Sequence, residues 1–304
     1  MDTVVETQGT STQEDLRPHV LVGVDGRHVN DGAVRWAASE ATRSHLAVRL
    51  TTICRVLPEA EVYLGREIED STRAALQETA DRLAGDVDVL PVSVSTGSPV
   101  LALLDRAADA ELLVVGHRDL GALHRSTLGS TSIAVAGRSK VTVVVVPDDW
   151  SSEGRAHAPV VVGLRLPEDD DEPDHPASLA YAFDRARALQ VPLVVVHAWE
   201  VPAILTWSPV DVATEQDLAT TRVGRLLVPW RDRYPDVALE VRSVAERPAD
   251  ALRDAAATGQ LVVLGRRTAP DRHGGFRLGS TARAFLHHAE TPVAVVPAEG
   301  GRAS

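Results

Sequence analysis

Cysteine, lysine and aromatic side chains are all scarce in this sequence. Its 304 residues contain one cysteine, Cys54, which excludes an intrachain disulfide and any metal site framed by several thiolates. Cys54 lies in an apolar run, so a buried, inert thiol is expected. Phe, Trp and Tyr make up only 4% of the chain, while hydrophobic residues make up 44%. The core must therefore be built mainly from Val, Leu, Ile and Ala, which suits parallel strands covered on both faces. Lys140 is the single lysine, and 43 acidic against 31 basic residues leave a formal net charge of −12. Such a chain repels a phosphate backbone on average, so nucleic acid is not an expected partner. No apolar run approaches the roughly 20 residues of a membrane span. Residues 1–17 lack the basic start and apolar stretch of a signal peptide. The expectation is a cytoplasmic protein, off the membrane, with a disordered tail over residues 1–17.

What the chain does contain is a repeat. Pro99 of GSPVLALL matches Pro248 of ERPADALR, and Gly116 of LLVVG matches Gly265 of LVVLG, both at an offset of 149. Gly129 of GSTS matches Gly279 of GSTA, and Pro147 matches Pro297, both at 150. Earlier, Gly23 matches Gly163 at 140 and Cys54 matches His197 at 143. The growing offset implies short insertions in the second copy, among them the acidic run EDDDEPD at 168–174. The unit is domain-sized, so this is a duplicated domain rather than a solenoid. The boundaries read as 18–148 and 159–298, with a polar, aperiodic linker at 149–158.

Within each copy, apolar runs alternate with amphipathic stretches. HVLVGV, VRLTTICRV, VDVLPVSV, LLVVG and VTVVVVP read as strands in the first, and VVVGL, VPLVVVHA, VALEVRSV, LVVLG and VAVVP in the second. Helices are predicted over NDGAVRWAASEATRS, Glu67 to Leu83, Pro99 to Ala108 and Ser130 to Gly137. Pro99 fits a first helical turn, where its missing N–H costs nothing. This alternation gives α/β architecture, a parallel sheet with right-handed crossovers.

In an open parallel sheet, ligands bind beyond the carboxyl ends of the strands, where strand order reverses. Asp25 closes the first strand there, and Gly116 closes the fourth. Gly129 allows close backbone approach. Ser130, Thr131 and Ser132 then present hydroxyls at the positive start of a helix, a general phosphate site. Asp25 suits hydrogen bonds to a ribose or an adenine. Each residue alone is an ordinary turn or cap former; the combination carries the signal.

VLVGVDG, the RWAASEA helix, GSPVLALL, ELLVVG and the GSTS segment, in that order, resemble a universal stress protein domain, over about 19–148 and again about 159–298. The resemblance implies, for each copy, a five-stranded open parallel sheet in order 3-2-1-4-5 flanked by helices, like that of the adenine nucleotide alpha hydrolases. It also implies a regulatory role in stress survival and ATP, with or without Mg, bound through a G-x2-G-x9-G-[ST] loop after the fourth strand. In the first copy Gly116, Gly129 and Ser130 keep that spacing, and Asp25 matches the family's nucleotide-binding Asp. Arg55 falls where a backbone contact to adenine is made. Asp119 replaces the loop's second glycine, and Arg118, His124 and Arg125 are placed to offset its charge. In the second copy Arg165 stands at the position of Asp25 and Thr268 at that second glycine, while Gly265, Gly279, Ser280 and Thr281 survive. That degenerate site is expected to bind ATP weakly or not at all. The apolar fifth strands are expected to pack together, making an internal pseudo-dimer; pairing between chains and protein partners stay open.

Other chemistry is thin. His287 and His288 are neighbours on the last predicted helix and face different directions. P-loop, G-x-G-x-x-G, G-x-S-x-G and Cys/His zinc patterns are absent. No general base with an oriented partner is found, so the chain reads as a non-enzyme, with slow ATP hydrolysis left open. A structural or interaction protein whose ATP loops have degraded is the main rival; an adenylating enzyme ranks last.

Overall fold

The computed structural model describes residues 17–25, 31–54, 62–117, 130–166, 176–200, 209–266 and 278–298. In the first half β1 (His19–Gly23), α1 (Asp31–Ser44), β2 (Ala47–Cys54), α2 (Val62–Leu83), β3 (Ser93–Thr96), α3 (Pro99–Arg106), β4 (Leu112–His117), α4 (Ser130–Arg138) and β5 (Thr142–Pro147) follow one another. The second half repeats the scheme with β6 (Val160–Gly163), α5 (Pro176–Leu189), β7 (Leu193–Ala198), α6 (Pro209–Leu226), α7 (Val228–Arg233), β8 (Leu239–Val244), α8 (Pro248–Ala256), β9 (Leu261–Gly265), α9 (Ser280–Leu286) and β10 (Val293–Val296).

Strands within each half pair in parallel, in the expected order 3-2-1-4-5. The two five-stranded sheets meet at their fifth strands, as their apolar character led us to expect, and run on as one ten-stranded sheet, β3-β2-β1-β4-β5-β10-β9-β6-β7-β8. The seam is an antiparallel pairing of the two fifth strands, with Ala294 opposite Val144. Both strands are buried along their length, and an apolar edge left unpaired would invite association. The polar strand β3 and the charged strand β8 (LEVRSV) form the outer edges instead.

Alternate residues feed two apolar layers, as the strand period of two requires. Val20, Val22, Leu50 and Val144 pack with Trp36, Leu76, Leu179 and Phe183 on one face. Leu21, Leu113, Val143 and Val145 pack with Leu103, Val135, Leu252 and Phe285 on the other. The few aromatics are concentrated: Phe183 stacks on Trp230 and on Tyr234, at 5.6 and 5.0 Å between ring centres.

Several boundaries move for local reasons. The predicted strand VDVLPVSV shrinks to Ser93–Thr96 plus a single bridge from Val89 to Val48, because Pro91 has no N–H to offer the ladder. Helix α2 starts at Val62 rather than Glu67, and α3 gives way to a short 3-10 turn over Ala107–Asp109. Helix α9 stops at Leu286, so His287 and His288 form the turn after it rather than lying on it. Cys54 is half-buried rather than buried, because β2 is reaching the end of the sheet there. Residues 1–16 and the run at 168–174 lie outside the described residues; Arg17 forms an ion pair with Asp88.

The helix ends fix the true repeat register. His45 and Gln190 both have φ of 54°, an αL closure in which the N–H of Leu46 bonds Ala41 O at 2.9 Å and that of Val191 bonds Ala186 O at 3.0 Å. Their offset is 145, and the strand pairings carry it on. Thr52, not Cys54, is therefore the partner of His197. The sequence match counted two residues off because the register of an apolar run is hard to set without its hydrogen bonds.

Residues 149–158 are tied to both halves. Arg35 donates to Trp150 O at 2.7 Å, and Arg155 donates to Gly259 O and to the hydroxyl of Thr291. Across the pseudo-dyad, Glu40 of α1 faces Arg185 of α5, and these are the same helix position in the two copies by the 145 offset. Arg266 also crosses: its guanidinium donates to Ser139 O at 2.6 Å, at the carboxyl end of α4, where a cation is favoured.

Candidate functional site

Strand order reverses between β1 and β4, which lie side by side with Gly23 opposite Val115. A Cβ on Gly23 would meet Leu103 at 3.0 Å and Val115 at 3.3 Å, so this glycine lets α3 press onto the sheet. Val24 is held on both sides: its N–H bonds Thr51 O at 2.8 Å, and its carbonyl accepts the Thr52 hydroxyl at 2.6 Å. That pair aims the next residue, Asp25, past the carboxyl end of the sheet, where it is exposed. On the neighbouring strand, Gly116 O accepts the Ser132 hydroxyl at 2.8 Å. Ser132 is buried, so its proton is committed to the strand and clips the first turn of α4 to the end of β4. Ser130 is exposed and Thr131 half-buried on the same turn. The first amides of a helix have no intrahelical acceptor and suit an anion. Arg55, Arg118 and Gly129, with Asp119, His124 and Arg125, lie outside the described residues.

The second half keeps the frame and changes the chemistry. Gly163 repeats the packing role of Gly23, with Leu264 and Leu252 at 3.0 and 3.3 Å from its added Cβ. Arg165 stands exposed where the first half has Asp25. Gly265 ends β9, and Gly279, in extended conformation, precedes α9 with Ser280 exposed and Thr281 half-buried. Ala282 occupies the position of Ser132, so the clip to the strand is lost. Thr268 lies outside the described residues.

His197 takes the place of Thr52 and does the same job by a different group: its Nδ1 bonds Leu164 O at 3.1 Å. Burial holds the His197 pKa below its usual value, the bond to Leu164 opposes this, and the Arg222 cation lowers it further. The folded state thus favours the neutral ring, and the unfolded chain takes up the proton first as pH falls. Its stabilising contribution is complete above the unfolded value of about 6.5 and is lost as pH drops toward the folded value. The melting temperature is expected to fall between pH 7.5 and 5.5, and less steeply in His197→Thr. An identical pH slope in the two proteins would contradict this.

Thr52, the Ser132 clip and Arg266 were not singled out from sequence. A hydroxyl inside an apolar strand was the available signal for Thr52. Nothing local marks Arg266, whose contacts are made across the seam. Among the described residues, no group of three His, Cys, Asp or Glu side chains is placed to hold a metal ion, and no helix is long and apolar enough to cross a membrane.

The family model for the universal stress protein family matches this chain twice, over residues 17–147 and 166–297. The chain belongs to the universal stress protein family. Two relatives agree over nearly full length. Universal stress protein Rv1996 of Mycobacterium tuberculosis is 31% identical, with 91% of this chain and 94% of that protein covered. Universal stress protein Rv2005c of the same organism is 32% identical, with 91% and 96% covered. Among solved structures, a universal stress protein from Archaeoglobus fulgidus superposes with a TM-score of 0.65 at 15% identity, covering 90% of this chain and 97% of that one. At that identity the likeness speaks for the fold alone.

Proposed function

We propose that this universal stress protein binds ATP at the carboxyl end of its first half and works as a nucleotide-responsive regulator of the stress response in the cytoplasm, not as a catalyst. The Ser132–Gly116 hydrogen bond is the observation that carries the reading. It sets the amino end of α4 against the end of β4, and β4 neighbours β1, which leads to Asp25; in this reading the Asp25 carboxylate and the amides of Ser130 and Thr131 serve one ligand. A carboxylate on one side and an anion-favouring helix start on the other match the two ends of a nucleotide, sugar or base and phosphate. Mg would travel on the phosphates. The second half, with Arg165 for Asp25 and Ala282 for Ser132, has lost the acidic anchor and the clip, and in this reading it does not take ATP in the same pose. Regulation would then run through the continuous sheet and through protein partners, a second copy of the chain included.

Hydrogen bonds to a charged group contribute about 1.5–3 kcal/mol, so Asp25→Ala should weaken Mg-ATP binding by at least about tenfold. Arg165→Ala should leave it unchanged. Equal affinity in Asp25→Ala and the unaltered protein would overturn the assignment.

A further inference from the structure

Away from the nucleotide crevice, a cleft of ≈ 320 Å³ opens where α1, α5 and the segment joining the halves meet. That falls at the lower end of the roughly 300–1,000 Å³ of small-molecule sites. Its walls include Trp36, Glu40, Arg43, Trp150, Arg155 and Arg185. Three guanidinium groups against one carboxylate give the lining a surplus of positive charge in a chain whose net charge is −12.

The carboxylate is already satisfied. Glu40 Oε1 accepts from Arg185 and from Ser44, and Oε2 accepts from Arg43 at 2.9 Å. Two donors on residues of the same wall, the Trp150 indole N–H and the Arg185 Nε–H, have no acceptor in the protein and are closed off from solvent. Buried donors are nearly always paired in folded proteins. Trp36, only 7% exposed, adds a second indole to the lining.

We infer that this cleft binds a small organic anion, with a carboxylate or phosphate group meeting the arginines and a planar or apolar body lying against Trp150. A charged acceptor bonds guanidinium donors more strongly than a neutral one, and an indole face suits a flat apolar partner. The ligand would join pieces of both halves and of the connecting segment, so binding should also stabilise the seam.

The test uses the full chain with phenyl phosphate, benzoate and neutral benzyl alcohol as probes, followed by ligand-observed NMR. The expected result is saturable binding of at least one anion at about one site per chain and none of benzyl alcohol. Arg43→Gln and Trp150→Phe should each weaken it, the first by about tenfold, while Asp25→Ala leaves it unchanged. The better of the two anions tells whether a phosphate or a carboxylate is the head group. Absence of saturable anion binding up to about 10 mM would overturn the inference. So would binding that both cleft variants leave intact, or that Asp25→Ala abolishes. Trp150→Phe keeps most of the ring packing, so it decides the matter if Arg43→Gln fails to fold.

Discussion

Replacing Glu40 by arginine is expected to destabilise the protein by about 4 kcal/mol, with most of the loss recovered when Arg185→Glu is added. The Glu40 side chain is 5% exposed and that of Arg185 21%, so the pair is largely removed from water. Removing one partner of such a pair costs about 3–5 kcal/mol, because the remaining charge is left without compensation. Arg43 and Arg185 both lean on the Glu40 carboxylate, and a third guanidinium there adds repulsion. The two positions are equivalent in the repeat, so identical residues would set like charges against each other. The opposite charges therefore favour first half against second half, and disfavour either half meeting its own copy in the same geometry. Urea unfolding of the single and double variants checks this. A loss under about 1 kcal/mol in Glu40→Arg, or no recovery in the double variant, would contradict it.

Gly32→Ala is expected to cost about 3 kcal/mol, although alanine is ordinarily the better helix former. An added Cβ would lie 2.2 Å from Pro147 O and 2.7 Å from Asp148 O, both backbone atoms. Neither can swing aside as a flexible side chain would. The chain leaving β5 must shift, or α1 must lift from the sheet. The equivalent residue in the second half is Ala177. Restoring glycine there, Ala177→Gly, should cost only the roughly 1 kcal/mol of helix propensity. Thermal unfolding of both variants separates a local clash from a general dislike of substitution at helix starts.

Much of the architecture was legible because it is written in short-range patterns. Apolar runs such as VTVVVVP and VAVVP could only be buried strands, and the landmarks Pro99/Pro248 and Gly116/Gly265 fixed the duplication. Asp25, Gly116 and Ser130 fell where a strand end and a helix start had to be. What escaped depends on geometry between distant parts. That Ser132 spends its hydroxyl on Gly116 follows from how closely α4 approaches β4. The pairing of Thr52 with His197 needed the strand register. Glu40–Arg185 and Arg266–Ser139 exist only because β5 and β10 pair antiparallel and join the two sheets into one. The cleft beside α1 and α5 is a product of the same seam.

In the proposed reading the first half holds a working nucleotide site and the second half none of that kind. Calorimetric titration of the nucleotide-free chain with Mg-ATP tests it most directly. One site per chain is expected, lost in Asp25→Ala and retained in Arg165→Ala. Two equivalent sites, or no binding heat at all, would contradict it, the latter pointing to a protein that acts through its partners alone.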